Sequence, residues 1–153
     1  MNTSPRIVIL GAGFAALTAA RELRRRLPKA RLTLVAPKAE FVFLPSLIWI
    51  PSGLRKGSDL VQPLAGFLDK HQVEFIPGRV TGLRDGGRTV LTDAGEVSND
   101  ALIIATGGRF IKKLPGIEHA LTLCEGVASA GATRGRIHAP QVGRTAPGVG
   151  GNP

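Results

Sequence analysis

Arg6-Ile-Val-Ile-Leu10 runs directly into Gly11-Ala-Gly-Phe-Ala-Ala16, and that into a stretch with apolar residues at Leu17, Ala20, Leu23 and Leu27. A short β-branched run ending on Gly-x-Gly, followed at once by helical spacing, reads as strand, tight turn, helix. Each small residue has a mechanical part. Gly11 permits the turn out of the strand, Gly13 carries no side chain to hold a pyrophosphate away from the backbone, and Ala16 lets the helix pack close to the sheet. The unpaired N–H groups at the start of the helix then face the phosphates with the positive end of the helix dipole. A GxGxx[GA] string also arises by chance in a chain with 20 glycines. The position of this one, after a strand and opening a helix, favours an α/β domain built to hold a dinucleotide.

The 153 residues suit one domain with its own core, and 43% hydrophobic with 20% charged residues is an ordinary globular composition. Twenty basic against 11 acidic residues leave a net charge of +9. Six of the cations (Arg21, Arg24, Arg25, Arg26, Lys29, Arg31) cluster on or just after the first helix beside a single acid, Glu22. A solvated helix end whose cations suit the negative dipole terminus explains Arg24 to Arg26, and a peripheral contact with a membrane surface is the second reading. Nucleic acid is not expected, because aromatics do not interleave with the basic residues and no known module is present. The segment Ile7 to Ala20 is not read as a secretory leader, since its removal would destroy the turn, and no stretch is long and apolar enough to span a bilayer. One cysteine, Cys124, leaves no internal disulfide, CxxC pair or zinc cluster, and no metal site is expected. A cytoplasmic location, with the membrane's cytoplasmic face as a peripheral contact, follows as the expectation.

Along the chain, Pro28 ends the first helix. Arg31-Leu-Thr-Leu-Val35 reads as a second, buried parallel strand. The carboxylate that often accepts the ribose hydroxyls about twenty residues beyond the glycines has no counterpart, because that place falls on Ala36. The nearest acid is Glu40, and Lys38 keeps a 2′-phosphate, hence NADP, as an alternative. Phe41-Val-Phe-Leu-Pro-Ser-Leu-Ile-Trp-Ile50 is either an aromatic cover for a planar cofactor or a piece of core. Asp59-x-x-Gln62 has capping-box spacing, and Leu60, Leu64, Phe67 and Leu68 predict a helix over Asp59 to Lys70. Val73-Glu-Phe-Ile76 is a third strand. The segments Arg79 to Leu83, Arg88 to Leu91 and Val97 to Asp100 predict a small antiparallel excursion, and Ala101-Leu-Ile-Ile-Ala105 re-enters the main sheet beside the first strand. From Gly126 to Pro153 there are seven glycines, three prolines and five alanines without a sustained period, which predicts a flexible tail after a domain over residues 1–125.

In their order and spacing, Ile7-Val-Ile-Leu-Gly-Ala-Gly13, Phe41-Val-Phe-Leu-Pro-Ser46, Val73-Glu-Phe-Ile76, Asp100-Ala-Leu-Ile-Ile-Ala-Thr-Gly107, Leu114-Pro-Gly116 and Leu121-Thr-Leu-Cys124 carry a family likeness. The chain resembles the amino-terminal FAD-binding part of two-dinucleotide-domain flavoproteins, in particular the sulfide:quinone oxidoreductase and flavocytochrome c sulfide dehydrogenase group, with type II NADH dehydrogenases as cousins. The resemblance implies a Rossmann-like fold, FAD as cofactor, sulfide or NADH as electron donor and a quinone or cytochrome as acceptor. Carried over by position, Gly11, Gly13, Phe14 and Ala15 would hold the FAD pyrophosphate and Ala36 with Pro37 would border the adenosine ribose. Pro45 and Ser46 would lie towards the flavin, Val80 would meet the adenine through its backbone, and Thr106 with Gly107 would close over the cofactor. Cys124 matches the first cysteine of the sulfide oxidoreductases, as a nucleophile for sulfide sulfur or else as an inert loop thiol; Lys112 and Lys113 are the nearest cations in sequence. The group's second dinucleotide domain and quinone pocket have no counterpart here, so a truncated or frame-altered product is the expectation. Two alternatives stand beside the flavoenzyme: an NAD(P)-binding Rossmann domain and a non-catalytic nucleotide-binding fragment.

Overall fold

The computed structural model describes residues 4–108, 111, 113–123 and 125–139. The chain divides into two compact units, residues 1–43 with 58–111, and residues 44–57 with 112–153.

In the first unit, strands β1 (Arg6–Leu10) and β2 (Arg31–Ala36) flank helix α1 (Phe14–Arg26), as the opening stretch predicts. Short β3 (Glu40–Val42) pairs antiparallel with β4 (Val61–Pro63), helix α2 (Ala65–His71) leads into β5 (Val73–Pro77), and β6 (Val80–Arg84), β7 (Thr89–Thr92) and β8 (Gly95–Ser98) form an antiparallel meander before β9 (Ala101–Ile104). The main sheet is parallel, in the order β5-β2-β1-β9, so the first strand lies between the second and the last.

Because β1 and β2 are buried on both faces, their alternating side chains serve two cores. Ile7, Ile9, Leu32 and Leu34 join Ala16 and Ala20 of α1 and Leu68 of α2 on one side. Val8, Leu10 and Val35 meet Val90 on the other, with Val80 and Val97 of the meander packed around them. The unit is therefore helices, parallel sheet and antiparallel cover in three layers. Ala16 and Ala20 are fully buried, which bears out the small residue required where α1 approaches the sheet.

The stretch between residues 57 and 64 departs from the predicted helix. Gly57–Leu60 forms one 3₁₀ turn and Val61-Gln-Pro63 goes extended against β3, so α-helix begins only at Ala65. Phe43 N–H donates to the Leu60 carbonyl at 2.8 Å and Leu64 N–H to that of Ala39 at 2.9 Å, and this bridging offers the backbone more partners than an exposed first turn would. Pro63, with no N–H, stands where no ladder donor is required. Leu64 and Leu68 still reach the core, so the apolar spacing was right and the helix start was not.

In the second unit, Leu44–Trp49 is 3₁₀ and Val127–Ile137 is helix α3. This corrects the expectation of a structureless tail as far as Ala139. Leu47, Ile50, Ala130 and Thr133 are buried, and the Arg134 guanidinium donates to the Ile50 carbonyl at 3.3 Å. Ser129 and Thr133 hydroxyls donate back to the carbonyls of Gly126 and Ser129, both at 2.9 Å, so their polar groups are used within the helix. The buried face is made of Ala and Thr in place of large apolar side chains, which is why the composition concealed it.

Candidate functional site

A cleft of about 500 Å³ opens in the first unit at the carboxyl ends of β1, β2 and β9, where open α/β sheets bind ligands. Its floor is Gly11 and Ala12, one wall is Val35 to Lys38 with Glu40 and Val42, another is Gly78, Arg79 and Val80, and Thr106 closes the side towards β9.

The turn at Gly11 is fixed by the fold itself. Gly11 has φ +108°, and a Cβ there would lie 2.9 Å from the Ala105 carbonyl carbon and 3.2 Å from Thr106 Cα. Only glycine lets the exits of β1 and β9 meet this closely. Its N–H continues the sheet, donating to the Val35 carbonyl at 2.8 Å, and is therefore not a phosphate donor. Gly13 differs. Its φ of −88° is open to any residue and a Cβ on it would meet nothing within 4 Å. No neighbouring atom excludes a side chain at this position, and the open space beside it leaves room for a group to lie against the backbone from outside.

Gly13 is also the N-cap of α1 and supplies no side chain to the first turn, which contains no acid. The first helical bond is Leu17 N–H to the Gly13 carbonyl at 3.1 Å. Among the described residues, the N–H groups of Phe14, Ala15 and Ala16 have no backbone or side-chain acceptor, so three parallel donors stand at the positive end of the helix dipole. Phe14 itself is half-exposed and lies edge-to-face with Phe41 at 4.8 Å and Phe43 at 5.8 Å. Phe41 also packs on the core, so the aromatic run after β2 is core at one residue and surface at the next.

Of the residues predicted from sequence, Gly11, Ala36, Pro37, Val80 and Thr106 line the cleft together. Gly13, Phe14 and Ala15 form the adjoining helix start, and Gly107 follows Thr106 with φ +79°. Pro45 and Ser46 lie in the 3₁₀ segment of the second unit and are not among the lining residues. Cys124 and Lys112 lie outside the described residues. Sequence reasoning missed Arg79 and Gly78, which the corner between β5 and β6 brings to the cleft; no local motif marks them. The charged side chains on the lining are Lys38, Glu40 and Arg79, with Lys38 Nζ 3.9 Å from Glu40 Oε2. No group of three or more His, Cys, Asp or Glu able to hold a metal occurs among the described residues, and none of their helices is long and apolar enough to cross a membrane.

A model of the family described as pyridine nucleotide-disulphide oxidoreductase matches residues 5–142. The chain belongs to that family. Its Rossmann-like sheet is thus the family's FAD/NAD(P) fold, and the family's members are FAD-dependent oxidoreductases. Among the relatives, the sulfide-quinone reductase of Aquifex aeolicus is 32% identical over 117 residues, 76% of this chain and 27% of that protein. The nitric oxide reductase FlRd-NAD(+) reductase of Klebsiella pneumoniae is 31% identical over 136 residues, 86% of this chain and 36% of that one. The crystal structure of the Aquifex aeolicus sulfide:quinone oxidoreductase superposes with a TM-score of 0.79 at 29% identity, over 88% of this chain and 32% of that one. The chain spans about a third of the length of the relatives it matches.

The residues present fit FAD, the cofactor this family implies. Unpaired first-turn donors, open space at Gly13 and a cleft bordered by Ala36 and Val80 are what a diphosphate joined to an adenosine needs.

Proposed function

We propose that this chain is the FAD-holding part of a flavoprotein that passes electrons from sulfide, or from NADH, to a quinone or cytochrome. The observation that carries the reading is the pairing of a sterically unexplained Gly13 with three unpartnered N–H groups at the mouth of the cleft. Those donors bind and orient the diphosphate, Gly13 allows it to reach them, and Ala36, Pro37 and the Val80 backbone border the adenosine. Thr106 and Gly107 close over it, with Pro45 and Ser46 assigned to the flavin side. When bound, FAD supplies the two-electron and one-electron redox chemistry that no side chain offers.

Sulfide as donor is supported by the likeness to the Aquifex aeolicus enzyme, with Cys124 as the thiolate that handles sulfide sulfur. NADH is supported by the Klebsiella pneumoniae relative. Work at the cytoplasmic face of a membrane accords with a quinone as acceptor. An NADP-binding domain is the second reading, favoured by Lys38 and Arg79 on the cleft wall and opposed by the carboxylate of Glu40 beside Lys38.

The test is anaerobic mixing of the FAD-loaded protein with sulfide or with NADH. Bleaching of the oxidised-flavin band by sulfide, lost in Cys124→Ser, supports the sulfide branch, and bleaching by NADH alone supports the other. No bleaching by either contradicts both. Tight binding of NADPH with no retention of FAD establishes the second reading instead.

A further inference from the structure

We infer that Glu40, reaching the cleft from β3, reads the ribose hydroxyls of the bound adenosine, the part that Ala36 at the end of β2 has no side chain to play. The inference rests on the cleft being an adenine-dinucleotide site.

A cis-diol in a cleft needs an acceptor for its two O–H groups, and an ionised carboxylate, which only accepts, is the strongest one available. Ala36 is 4% exposed and lines the cleft with a methyl group. Among the described residues lining the cleft, Glu40 is the one with a carboxylate; Lys38 and Arg79 only donate, and Thr106 sits at the β9 side. The strand explains why residue 40 is aimed there. Successive side chains of β3 point to opposite faces, so Glu40 and Val42 line the cleft while Phe41 between them packs on the core. The register is fixed by pairing of Glu40, Phe41 and Val42 with Pro63, Gln62 and Val61, and by the Leu64 N–H bond to the Ala39 carbonyl immediately before. A slip of one residue would turn the carboxylate away from the cleft. Lys38, 3.9 Å away and exposed, is too loose a partner to occupy both carboxylate oxygens.

The same geometry assigns ligand preference. A carboxylate accepts from a free 2′-hydroxyl and repels a 2′-phosphate, so Glu40 selects an unphosphorylated adenosine despite Lys38 and Arg79 nearby.

The test is calorimetric titration of the chain, freed of bound nucleotide, with ADP, 2′-deoxy-ADP, 3′-deoxy-ADP and adenosine 2′,5′-bisphosphate, in the wild type and in Glu40→Ala. The wild type binds ADP more tightly than at least one deoxy analogue by about ten- to a hundredfold, the range for a hydrogen bond to a charged group. Glu40→Ala abolishes that discrimination, weakens ADP to the level of the deoxy analogue, and improves the bisphosphate relative to ADP. Glu40 is exposed on its strand, so the variant melts as the wild type does. ADP binding without discrimination in the wild type, or discrimination that survives Glu40→Ala, overturns the assignment while leaving the dinucleotide cleft standing. Failure of ADP and of the bisphosphate alike to bind overturns both.

Discussion

At the scale of single residues, the two glycines of the opening turn have different physical reasons and separate experimentally. Gly11→Ala places a methyl group against the Ala105 carbonyl at a φ that L-residues rarely adopt, so it costs about 3 kcal/mol of stability, read by chemical denaturation. Gly13→Ala meets no clash in the unliganded protein and costs about 1 kcal/mol, as a poorer N-cap of α1, yet weakens FAD binding at least tenfold. The sequence placed both glycines in one motif; which was demanded by the fold and which by a ligand is visible only when β9 is brought beside β1. Arg24 holds a similar lesson. It reads as one of several solvated cations, but its guanidinium donates to the carbonyls of Pro28, Ala30, His71 and Gln72 at 2.6 to 3.0 Å. It thereby ties the carboxyl ends of α1 and α2 to the loop before β2. Arg24→Met lowers stability by about 2 kcal/mol, whereas Arg25→Met, whose bonds are to Glu22 on the exposed face, leaves it nearly unchanged.

Asp100 and His71, together with Glu22 held low by its hydrogen bond from Arg25, contribute to the acid limb of stability. Hydrogen bonds from the Arg6 side chain, and then from its backbone N–H, hold the Asp100 carboxyl below the usual aspartate range. With its folded pKa below the unfolded one, its contribution is complete at neutral pH and is lost as pH falls through the carboxylate range. Burial, with Lys70, Arg21 and Arg24 nearby, keeps His71 below the ordinary histidine value of 6.5. The unfolded chain therefore takes up that proton first, and stability declines as pH falls below about 6.5. Denaturation midpoints against pH show both limbs; Asp100→Asn reduces the lower one, to which Glu22 also contributes, and His71→Asn removes the upper one.

At the scale of elements, strands were the more legible. β1 and β2 are short, mostly apolar runs that stop at Gly11 and Pro37, and a run buried on both faces has few other conformations available to it; β5 and β9, less buried, still show as short β-branched stretches. Helix limits were less so. The capping-box spacing at Asp59 was overridden when Val61-Gln-Pro63 found a partner strand twenty residues earlier, a pairing with no local trace. Helix α3 escaped notice because Ala130 and Thr133 bury little apolar surface and Gly131 and Gly135 lower its propensity. Gly131 has no neighbour that a Cβ would meet within 4 Å. Gly131→Ala accordingly stabilises the protein, by up to about 1 kcal/mol, and raises the helical circular-dichroism signal; a lower melting temperature would contradict α3 as described.

At the scale of the whole molecule, the parallel order β5-β2-β1-β9 gathers turns from distant parts of the chain at the carboxyl end of the sheet. The cleft is built from residues 11–12, 35–38, 40, 42, 78–80 and 106, and the motif that announced it supplies only the first of these. The remainder could be anticipated where the family likeness reached, at Ala36, Pro37, Val80 and Thr106. It could not at Arg79 and Gly78, where the cleft is made by a corner in space. Whether backbone donors at the head of α1 hold the diphosphate of FAD is read from an absorption spectrum of the protein after reconstitution with FAD and gel filtration, alongside Gly13→Glu. A flavin band travels with the wild type and is absent from the variant, which melts at the temperature of the flavin-free wild type. A colourless wild type, or a Gly13→Glu protein that keeps its flavin, would contradict that role for the donors.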